Sequence, residues 1–258
     1  DEITSVASTS DGGYIAVGSF QNSGNSWPDG MIIKYSAKGE VEWARSVGGS
    51  DTDEINSVVE TIDGGYIAVG CFGSDEIQVG DYRLTNSGGY DGMIIKYSSK
   101  GEVEWARREG GEESEKITSV VSTRDGGYIA VGYFQSSSIQ VGEYTLKNSG
   151  STSFSDGMII KYNAEGEVEL ARREGGSRGD RIISVAETKD GEYIAVGYFQ
   201  SSSIQVGDYT LTNSGYTDGM IIKYSEEGEV EWARREGGSS YDEITSVAST
   251  SDGGYIAV

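Results

Sequence analysis

Short apolar and aromatic stretches recur along the chain at near-constant spacing. The heptad Asp-Gly-Met-Ile-Ile-Lys-Tyr (DGMIIKY) begins at Asp29, Asp91, Asp156 and Asp218. A second motif, Tyr-Ile-Ala-Val (YIAV), recurs with tyrosine spacings of 52, 62, 65 and 62 residues. Such a period indicates an array built from one structural unit. We therefore predict a single repeat domain over residues 1–258, with repeats at about 1–49, 50–111, 112–176 and 177–238 and a half repeat at 239–258.

Each repeat contains four strand signals and no stretch with helical periodicity. In the first repeat they are ITSVAST from Ile3 to Thr9, YIAVGSF from Tyr14 to Phe20, MIIKY from Met31 to Tyr35 and EVEWAR from Glu40 to Arg45. The first two are joined by Ser/Thr-x-Asp-Gly-Gly and the last two by Ser-Ala-Lys-Gly, turns in which glycine supplies a positive φ at little steric cost. Four-stranded units of this length predict an all-β fold, a β-propeller of four-stranded blades.

The alternation of side chains predicts which strands are buried. The YIAV strand is apolar on both faces, so we expect burial on both sides. In EVEWAR, Val41 and Trp43 face one way and Glu42 the other, as expected of a half-exposed edge strand protected by charge. The predicted order from inside to outside is first, second, third and fourth strand. Repeats 2–4 also carry an extra β-hairpin, such as SIQVGDYTLTNSG at 203–215, where repeat 1 has only QNSGNSWP.

The two ends of the chain share one sequence. Residues 1–17 and residues 242–258 are identical, with an offset of 241 residues. The chain thus holds four full repeats plus a half repeat. Two explanations are open: a segment of a longer array with a 241-residue super-repeat, or an overlap that closes a ring or pairs with another copy. Because the chain begins within a repeat, we expect its natural start to lie outside this sequence.

Charge restricts the classes of partner. The formal net charge of -22 argues against nucleic acid and anionic membrane surfaces, since both need clustered Lys and Arg. No apolar run reaches the roughly 18 residues of a membrane-spanning helix, so no membrane insertion is expected. The glycine content of 39 residues, with Pro28 as the single proline, fits many short strands joined by tight turns.

Several kinds of catalytic site are absent from the sequence. The chain has no histidine, which excludes Ser-His-Asp and Cys-His arrangements and His-containing zinc sites. Cys71 is the single cysteine and occupies a column held by Ser19, Tyr133 and Tyr198 in the other repeats. A pair of catalytic carboxylates remains possible by count, but the acidic residues recur repeat by repeat, unlike an asymmetric active site. We predict a protein that is not an enzyme and has no cofactor.

Acidic loops connect each fourth strand to the next first strand, at 48–54, 110–116, 175–181 and 237–243. Carboxylates on a glycine-rich loop are calcium ligands in other proteins, but the full calcium-loop pattern is absent here, so a solvated turn is the preferred interpretation and no metal site is predicted. The third loop spells Arg178-Gly179-Asp180, a tripeptide that some adhesins use, which we interpret as coincidence. The Asp-Gly aspartates are interpreted as turn-capping groups.

One aromatic residue precedes each third strand. These residues, our candidate ligand-binding positions, are Trp27, Tyr90, Phe154 and Tyr216. Their type varies while their aromaticity does not, and their loops leave the second strand on the same face as the acidic loops. Such rings stack on sugar faces or pack on partner proteins. The structural alternative is that they pack beneath the extra hairpin.

The combined pattern resembles a known family. The motifs G-Y-I-A-V-G-Y-F, V-G-x-Y-x-L-x-N-S-G, D-G-M-I-I-K-Y and G-E-V-E-W-A-R are similar to those of the bacterial SBBP-type β-propeller repeats, over essentially the whole chain. The resemblance implies a propeller fold and a secreted or cell-surface location. It implies no reaction and no fixed ligand, and the count of four and a half repeats departs from a usual closed propeller.

The sequence therefore predicts a non-catalytic extracellular scaffold for binding, adhesion or assembly through its loop face, with a protein or a glycan as partner. One alternative is a carbohydrate-binding lectin that uses one aromatic residue per blade. Another is a structural fibre subunit that self-assembles when a second chain completes the terminal half repeat. The candidate residues of that assembly edge are Ile244, Val247, Tyr255 and Ala257.

Overall fold

A computed structural model describes residues 1–21 and 26–258, so part of the QNSGNSWP segment of repeat 1 lies outside the described residues. The chain divides into two compact units, Asp1–Ser122 and Thr123–Val258. The single domain over 1–258 stays a prediction. In the described residues, all regular secondary structure is β-strand.

The first unit contains repeats 1 and 2 and the first strand of repeat 3. Its strands are β1 (Glu2–Ser8), β2 (Tyr14–Gln21), β3 (Pro28–Tyr35), β4 (Val41–Val47), β5 (Asp53–Glu60), β6 (Tyr66–Phe72), β7 (Glu76–Val79), β8 (Tyr82–Thr85), β9 (Asp91–Tyr97), β10 (Val103–Glu109) and β11 (Glu115–Ser122). They form antiparallel sheets in the orders β1-β2-β3-β4 and β5-β6-β9-β10, with β7 and β8 as a separate hairpin.

The second unit contains the rest of repeat 3, repeat 4 and the half repeat. Its strands are β12 (Tyr128–Phe134), β13 (Ser138–Val141), β14 (Tyr144–Lys147), β15 (Asp156–Tyr162), β16 (Val168–Glu174), β17 (Asp180–Glu187), β18 (Tyr193–Phe199), β19 (Ser203–Val206), β20 (Tyr209–Thr212), β21 (Asp218–Tyr224), β22 (Val230–Glu236), β23 (Val247–Ser249) and β24 (Tyr255–Ala257). Here β12, β15 and β16 pair in that order, and β17-β18-β21-β22 repeats the arrangement of the first unit.

The observed sheets confirm the all-β class, the strand order and the extra hairpins. The main boundary difference is that β3 begins at Pro28 rather than Met31, because Gln21 and Phe20 continue the ladder with Pro28 and Asp29. Every residue of β6 is buried, as predicted for YIAV. The third strand β9 is equally buried, whereas the fourth strand β10 is half exposed, as its charge pattern indicated.

The two glycine-dependent turns have the predicted backbone. In the first hairpin, Gly12 has φ of 84° and donates its N–H to the Thr9 carbonyl at 2.9 Å. In the second, Gly39 has φ of 78° and donates to the Ser36 carbonyl at 2.9 Å. A side chain at either position would strain the left-handed backbone. The hairpin sequence therefore fixes the register of each strand pair.

The glycine of each Asp-Gly pair makes room for the next repeat. A Cβ atom on Gly92 would lie 3.1 Å from Ile117 Cγ1 and 2.9 Å from the Glu109 carbonyl oxygen. In the second unit, Gly157 and Gly219 meet Ile182 and Ile244 in the same way, each at 2.9 Å. The Asp-Gly glycine is thus a packing position, where the first-strand isoleucine of the following repeat rests against bare backbone.

Adding one methyl group at this position is expected to destabilise the first unit. Gly92→Ala forces the Ile117 side chain or the Glu109 backbone to move, which costs about 1–3 kcal/mol of unfolding free energy. Gly238→Ala is the control, because the nearest atom to its Cβ is Asp242 Oδ2 at 3.8 Å, and surface changes of this kind stay within about 0.5 kcal/mol. Urea unfolding measures both; equal effects would contradict the packing role of Gly92.

Each third strand carries a lysine, which is buried in repeats 1–3 and partly buried in repeat 4. Lys96 is 2% exposed and donates to Thr61 Oγ1 and Asp63 Oδ1, both at 2.8 Å. Burial raises the pKa of Asp63, but its hydrogen bonds, the largest of them from Lys96, together with the Lys96 charge outweigh that effect and lower the pKa to about 2. In repeat 4 the partners of Lys223 are Glu192 and Glu231. The lysine therefore links the first hairpin to the fourth strand.

The half repeat shows that one sequence adopts two structures here. Residues 2–8 form the seven-residue strand β1, whereas the identical residues 243–249 contribute only the three-residue strand β23. The shared part keeps its register, since Val6 pairs with Ala16 just as Val247 pairs with Ala257. β1 extends further because its first residues pair with Gly18 and Ser19.

Candidate functional site

The loops before the third strand and after the fourth strand meet at the same end of each repeat. In the first unit, Gly89 donates its N–H to the Glu113 carbonyl and Glu115 donates to the Tyr90 carbonyl, both at 2.6 Å. In the second unit, Tyr216 donates to the Ser240 carbonyl at 3.0 Å and Asp242 to the Thr217 carbonyl at 2.9 Å. We call these paired loops, residues 86–91 with 110–115 and residues 213–218 with 237–242, the loop face of their unit.

Buried aspartates hold the loop face in place. Asp91 accepts a hydrogen bond from the Ser87 N–H at 2.9 Å and a salt bridge from Arg108. Asp156 accepts equivalent contacts from the Ser149 N–H at 2.7 Å and from Arg173 at 3.1 Å. Burial raises the pKa of Asp91, against the opposing effect of Arg108. These aspartates cap the Asn-Ser-Gly turn after each hairpin, in agreement with their interpretation as turn-capping groups.

The solvated-turn interpretation of the acidic loops is wrong for the residue that begins the next strand. Asp53 is fully buried and accepts hydrogen bonds from the Gly49 N–H at 2.8 Å and from Ser74 Oγ at 2.7 Å. Asp180 likewise accepts bonds from the Gly176 and Ser201 amides. The loop folds back over these carboxylates, which satisfy backbone donors that water would otherwise reach. Asp51, within the first of these loops, remains exposed.

The acidic loops include the Arg-Gly-Asp tripeptide and many carboxylates that could be metal ligands. Asp180 is the aspartate of the Arg-Gly-Asp tripeptide and is 0% exposed, so its carboxylate faces the protein interior. Among residues 1–21 and 26–258, no group of three or more Cys, Asp or Glu side chains is arranged to hold a metal ion. The junction carboxylates instead accept hydrogen bonds from main-chain amides. They are framework residues of the loop face.

Cys71 lies in a position unsuited to thiol chemistry. It is fully buried on β6, and burial raises the pKa of its thiol to about 12. A thiol held in its protonated form is a poor nucleophile and a poor metal ligand. Cys71 therefore packs in the core as a small apolar residue.

Three of the four candidate aromatic residues are exposed. The exposed fractions are 51% for Trp27, 39% for Phe154 and 68% for Tyr216, so none of the three is covered by a hairpin. Tyr90 is half-buried, and the Lys116 ammonium lies 4.8 Å from its ring centroid. A cation at this distance from the ring centroid is attracted to the π-face and shields it.

The aromatic surface of repeat 4 contains a partner that sequence reasoning missed. Tyr216 stacks on Tyr241, with ring centroids 5.2 Å apart and an interplanar angle of 9°. Both rings are 68% exposed, so together they form an exposed aromatic surface. Tyr241 belongs to the loop after the fourth strand, and only the pairing of the two loops places it beside Tyr216. The sequence signal was an aromatic residue within an otherwise polar loop.

A polar groove lies beside the fourth strand of repeat 3. Its volume is about 510 Å³, and its lining includes Asn148, Arg172, Glu174 and Gln205. Glu174 is 4% exposed and accepts a hydrogen bond from the Tyr224 hydroxyl at 3.2 Å. Burial raises the pKa of this carboxyl to about 7.

The described part of the chain contains no helix with the length and hydrophobicity of a membrane span.

Comparison with known proteins gives distant relatives. No family model matches the chain. The chain is 24% identical to an uncharacterized WD repeat-containing protein of Acanthamoeba polyphaga mimivirus, with 78% of the chain aligned. It is also 24% identical to the regulatory protein FlaEY of Caulobacter vibrioides, with 83% aligned. These alignments cover 17% and 21% of the relatives, so the chain spans about a fifth of their length.

Similar solved structures are likewise remote. A protein of unknown function from Bacteroides caccae has a TM-score of 0.43 and 11% identity, covering 94% of this chain and 86% of that one. The WD40 domain of Neurospora crassa Pan2 has a TM-score of 0.38 and 7% identity, covering 95% and 68%. The WD-repeat relative and the repeated four-stranded antiparallel sheets together support a repeat protein of the propeller type.

Proposed function

We propose that the chain is a non-catalytic binding scaffold, a β-propeller of SBBP type that engages a macromolecular partner through its loop face. The observation that carries this proposal is the stacked, exposed pair of Tyr216 and Tyr241. Exposed tyrosines supply large contact areas with few rotatable bonds, and they dominate the binding energy of many interfaces. The relation to a WD-repeat protein supports a scaffold rather than an enzyme.

The framework beneath the tyrosines supports this proposal by fixing the loops before a partner arrives. Asp218 is fully buried and accepts bonds from the Ser214 N–H at 2.7 Å and from Arg235 at 3.0 Å. Hydrogen bonds from these two residues lower the pKa of Asp218, although burial opposes them. The carboxylate is therefore charged at neutral pH and holds the 213–218 loop against the end of β22. A preorganised surface loses little conformational entropy on binding.

The chemistry of the surface restricts the partner. A net charge of -22 disfavours nucleic acid, and the exposed rings favour apolar or sugar faces. A protein partner is the leading proposal, and a secreted or cell-surface location follows from the SBBP resemblance. A lectin is the second candidate, favoured by the 68% exposure of Tyr216 and Tyr241, since an exposed aromatic face stacks on the apolar face of a pyranose.

The proposal is tested with a glycan array and a peptide array probed by the parent chain and by Tyr216→Ala/Tyr241→Ala. Removing two hot-spot rings is expected to weaken every specific signal at least tenfold, equivalent to about 1.4 kcal/mol. Ile62→Ala is the matched control, because Ile62 is 80% exposed but does not belong to a loop face. It lies in the first hairpin turn of repeat 2, at the end of that repeat opposite its paired loops. The array that gives the signal distinguishes a lectin from a protein binder. A parent chain that binds neither array, or a double variant that binds as well as the parent, contradicts the proposal.

A further inference from the structure

One arginine of the second unit is packed against tyrosine rings at the start of repeat 4. Arg181 is the second residue of β17, and its guanidinium carbon lies 4.0 Å from the centroid of the Tyr133 ring. Tyr198, on β18, pairs directly with Arg181, which places both side chains on one side of the sheet. All three side chains belong to half-buried residues. Packing on a ring partly desolvates the guanidinium and fixes its plane.

The backbone that carries Arg181 is fixed by the buried aspartate before it. Asp180 is 0% exposed and accepts hydrogen bonds from the Gly176 N–H at 2.6 Å and the Ser201 N–H at 3.1 Å. The Asp180 N–H donates to the Ser155 carbonyl at 2.7 Å. Arg181 Nε then donates to Ser155 Oγ at 3.1 Å. The guanidinium is therefore oriented from its inner end, and its two terminal nitrogens point away from this bond.

The positive charge of Arg181 lacks a partner of opposite charge. In the part of the chain that the structure describes, no carboxylate forms an ion pair with it, and its side chain donates through Nε alone. Arg173 and Arg235 differ, since each forms a salt bridge with a buried aspartate, Asp156 and Asp218 respectively. A guanidinium is charged at every physiological pH. Arg181 thus presents a charge and the N–H donors of both terminal nitrogens to a ligand.

The two tyrosines add hydroxyl donors to this site. Within the described residues, neither the Tyr133 hydroxyl nor the Tyr198 hydroxyl forms a hydrogen bond. Burial raises the pKa of Tyr198, against the opposing effect of the Arg181 charge, so the hydroxyl keeps its proton at neutral pH and can donate it to an anion. The charge of Glu243, which is exposed, also raises this pKa and opposes a bound anion.

We propose that Arg181, together with Tyr133 and Tyr198, binds a carboxylate group of a ligand. The terminal nitrogens of a guanidinium match a planar carboxylate through two parallel N–H···O bonds, and the ring beneath holds this fork in one orientation. Phosphate carries more negative charge, so a chain with a net charge of -22 repels it more strongly than a carboxylate. The site shares no residue with the Tyr216–Tyr241 pair, so the proposal stands without that pair.

Sodium acetate is the probe for this site. It is titrated into the full ¹⁵N-labelled chain at constant ionic strength, with chloride as the balancing anion, and the backbone amide resonance of Tyr198 reports binding. The parent chain is expected to give a saturable shift with acetate, and weaker binding of inorganic phosphate. Arg181→Gln is expected to weaken acetate binding by about tenfold or more, because it removes the charged hydrogen-bond donors.

Three further variants make the result specific. Arg178→Gln is the matched control, since it removes the same charge from an exposed arginine of the same loop and should change the affinity by less than about twofold. Tyr133→Leu keeps an apolar side chain but removes the ring, which should weaken binding by about threefold. Glu243→Gln removes the opposing carboxylate and should strengthen binding by about twofold.

Three results would overturn the proposal: a parent chain without a saturable acetate shift, tighter binding of phosphate than of acetate, or equal losses in Arg178→Gln and Arg181→Gln. Circular dichroism confirms that each variant keeps its sheets. If Arg181→Gln does not fold, Arg181→Lys keeps the charge and should still weaken binding, because an ammonium lacks the planar fork. Acetylated and amidated glutamate and glucuronate then distinguish a peptide from an acidic sugar as the source of the carboxylate. Binding of either supports the site, and binding of neither overturns it.

Discussion

Replacing Arg108 by alanine is expected to destabilise the chain by about 3–5 kcal/mol at pH 7, the usual effect of removing one partner from a buried ion pair. Asp91 is 0% exposed and forms its salt bridge with Arg108, whose side chain is 29% exposed. Without the guanidinium, the donors that remain to the Asp91 carboxylate include the Ser87 and Gly111 amides, which carry no charge. Arg107→Ala is the control, because the Arg107 guanidinium lies 5.7 Å from the Trp105 ring centroid, whereas that of Arg108 forms the salt bridge with Asp91.

The pH dependence identifies the cause of this loss. Burial already raises the folded-state pKa of Asp91 above 3.8, and losing Arg108 raises it further. As the pH falls through this raised pKa, the folded variant takes up a proton and the penalty of the buried charge disappears. The difference between parent and variant should therefore shrink between pH 7 and pH 4. Urea unfolding at both values measures it, and an equal loss at both would show that the ion pair is not responsible.

Replacing Glu174 by glutamine is expected to stabilise the chain at pH 7.5 and above. The pKa of Glu174 is raised from 4.5 to about 7 by burial, and at 1.36 kcal/mol per pKa unit this corresponds to about 3 kcal/mol of destabilisation once the group is ionised. Glutamine is neutral and its carbonyl still accepts the bond from the Tyr224 hydroxyl, now 3.2 Å from Glu174. Below pH 4.5 the parent carboxyl is protonated in both the folded and unfolded states, so the gain should vanish there.

The repeat offers a matched control for this experiment. Glu236 occupies the equivalent position at the end of the fourth strand of repeat 4 and is exposed. Because Glu236 is exposed, Glu236→Gln should change the unfolding free energy by no more than about 0.5 kcal/mol, as is usual for surface substitutions. If Glu174→Gln stabilised the chain equally at pH 4.5 and pH 8, burial would not be raising the pKa of the Glu174 carboxyl.

Local sequence was sufficient to predict the strands and the turns. The alternation in EVEWAR and the apolar run in YIAV indicated one half-exposed and one buried strand, as β10 and β6 show. The glycines at Gly12 and Gly39 indicated positive φ because few other residues adopt it in such short hairpins. These features depend on neighbours within about ten residues, so the sequence pattern contains the information.

The environment of charged residues was not predictable in the same way. Asp53 is interpreted from sequence as part of a solvated turn, yet Ser74, 21 positions later, folds over it. Lys96 follows three apolar residues and its buried position depends on Asp63, from another hairpin. The clearest case is the sequence of residues 1–17, which forms a long strand at one end of the chain and a short one at the other. Long-range partners, which one sequence does not specify, decide these outcomes.

The central claim is that binding takes place through the loop face that presents Tyr216 and Tyr241. Its most direct test is the dissociation constant of the strongest array ligand, measured by isothermal titration calorimetry for the parent and for Tyr216→Ala/Tyr241→Ala. Both rings are exposed, so the variant should keep the melting temperature of the parent. We expect binding at least tenfold weaker in the variant, since it lacks two hot-spot residues. An unchanged dissociation constant would contradict it.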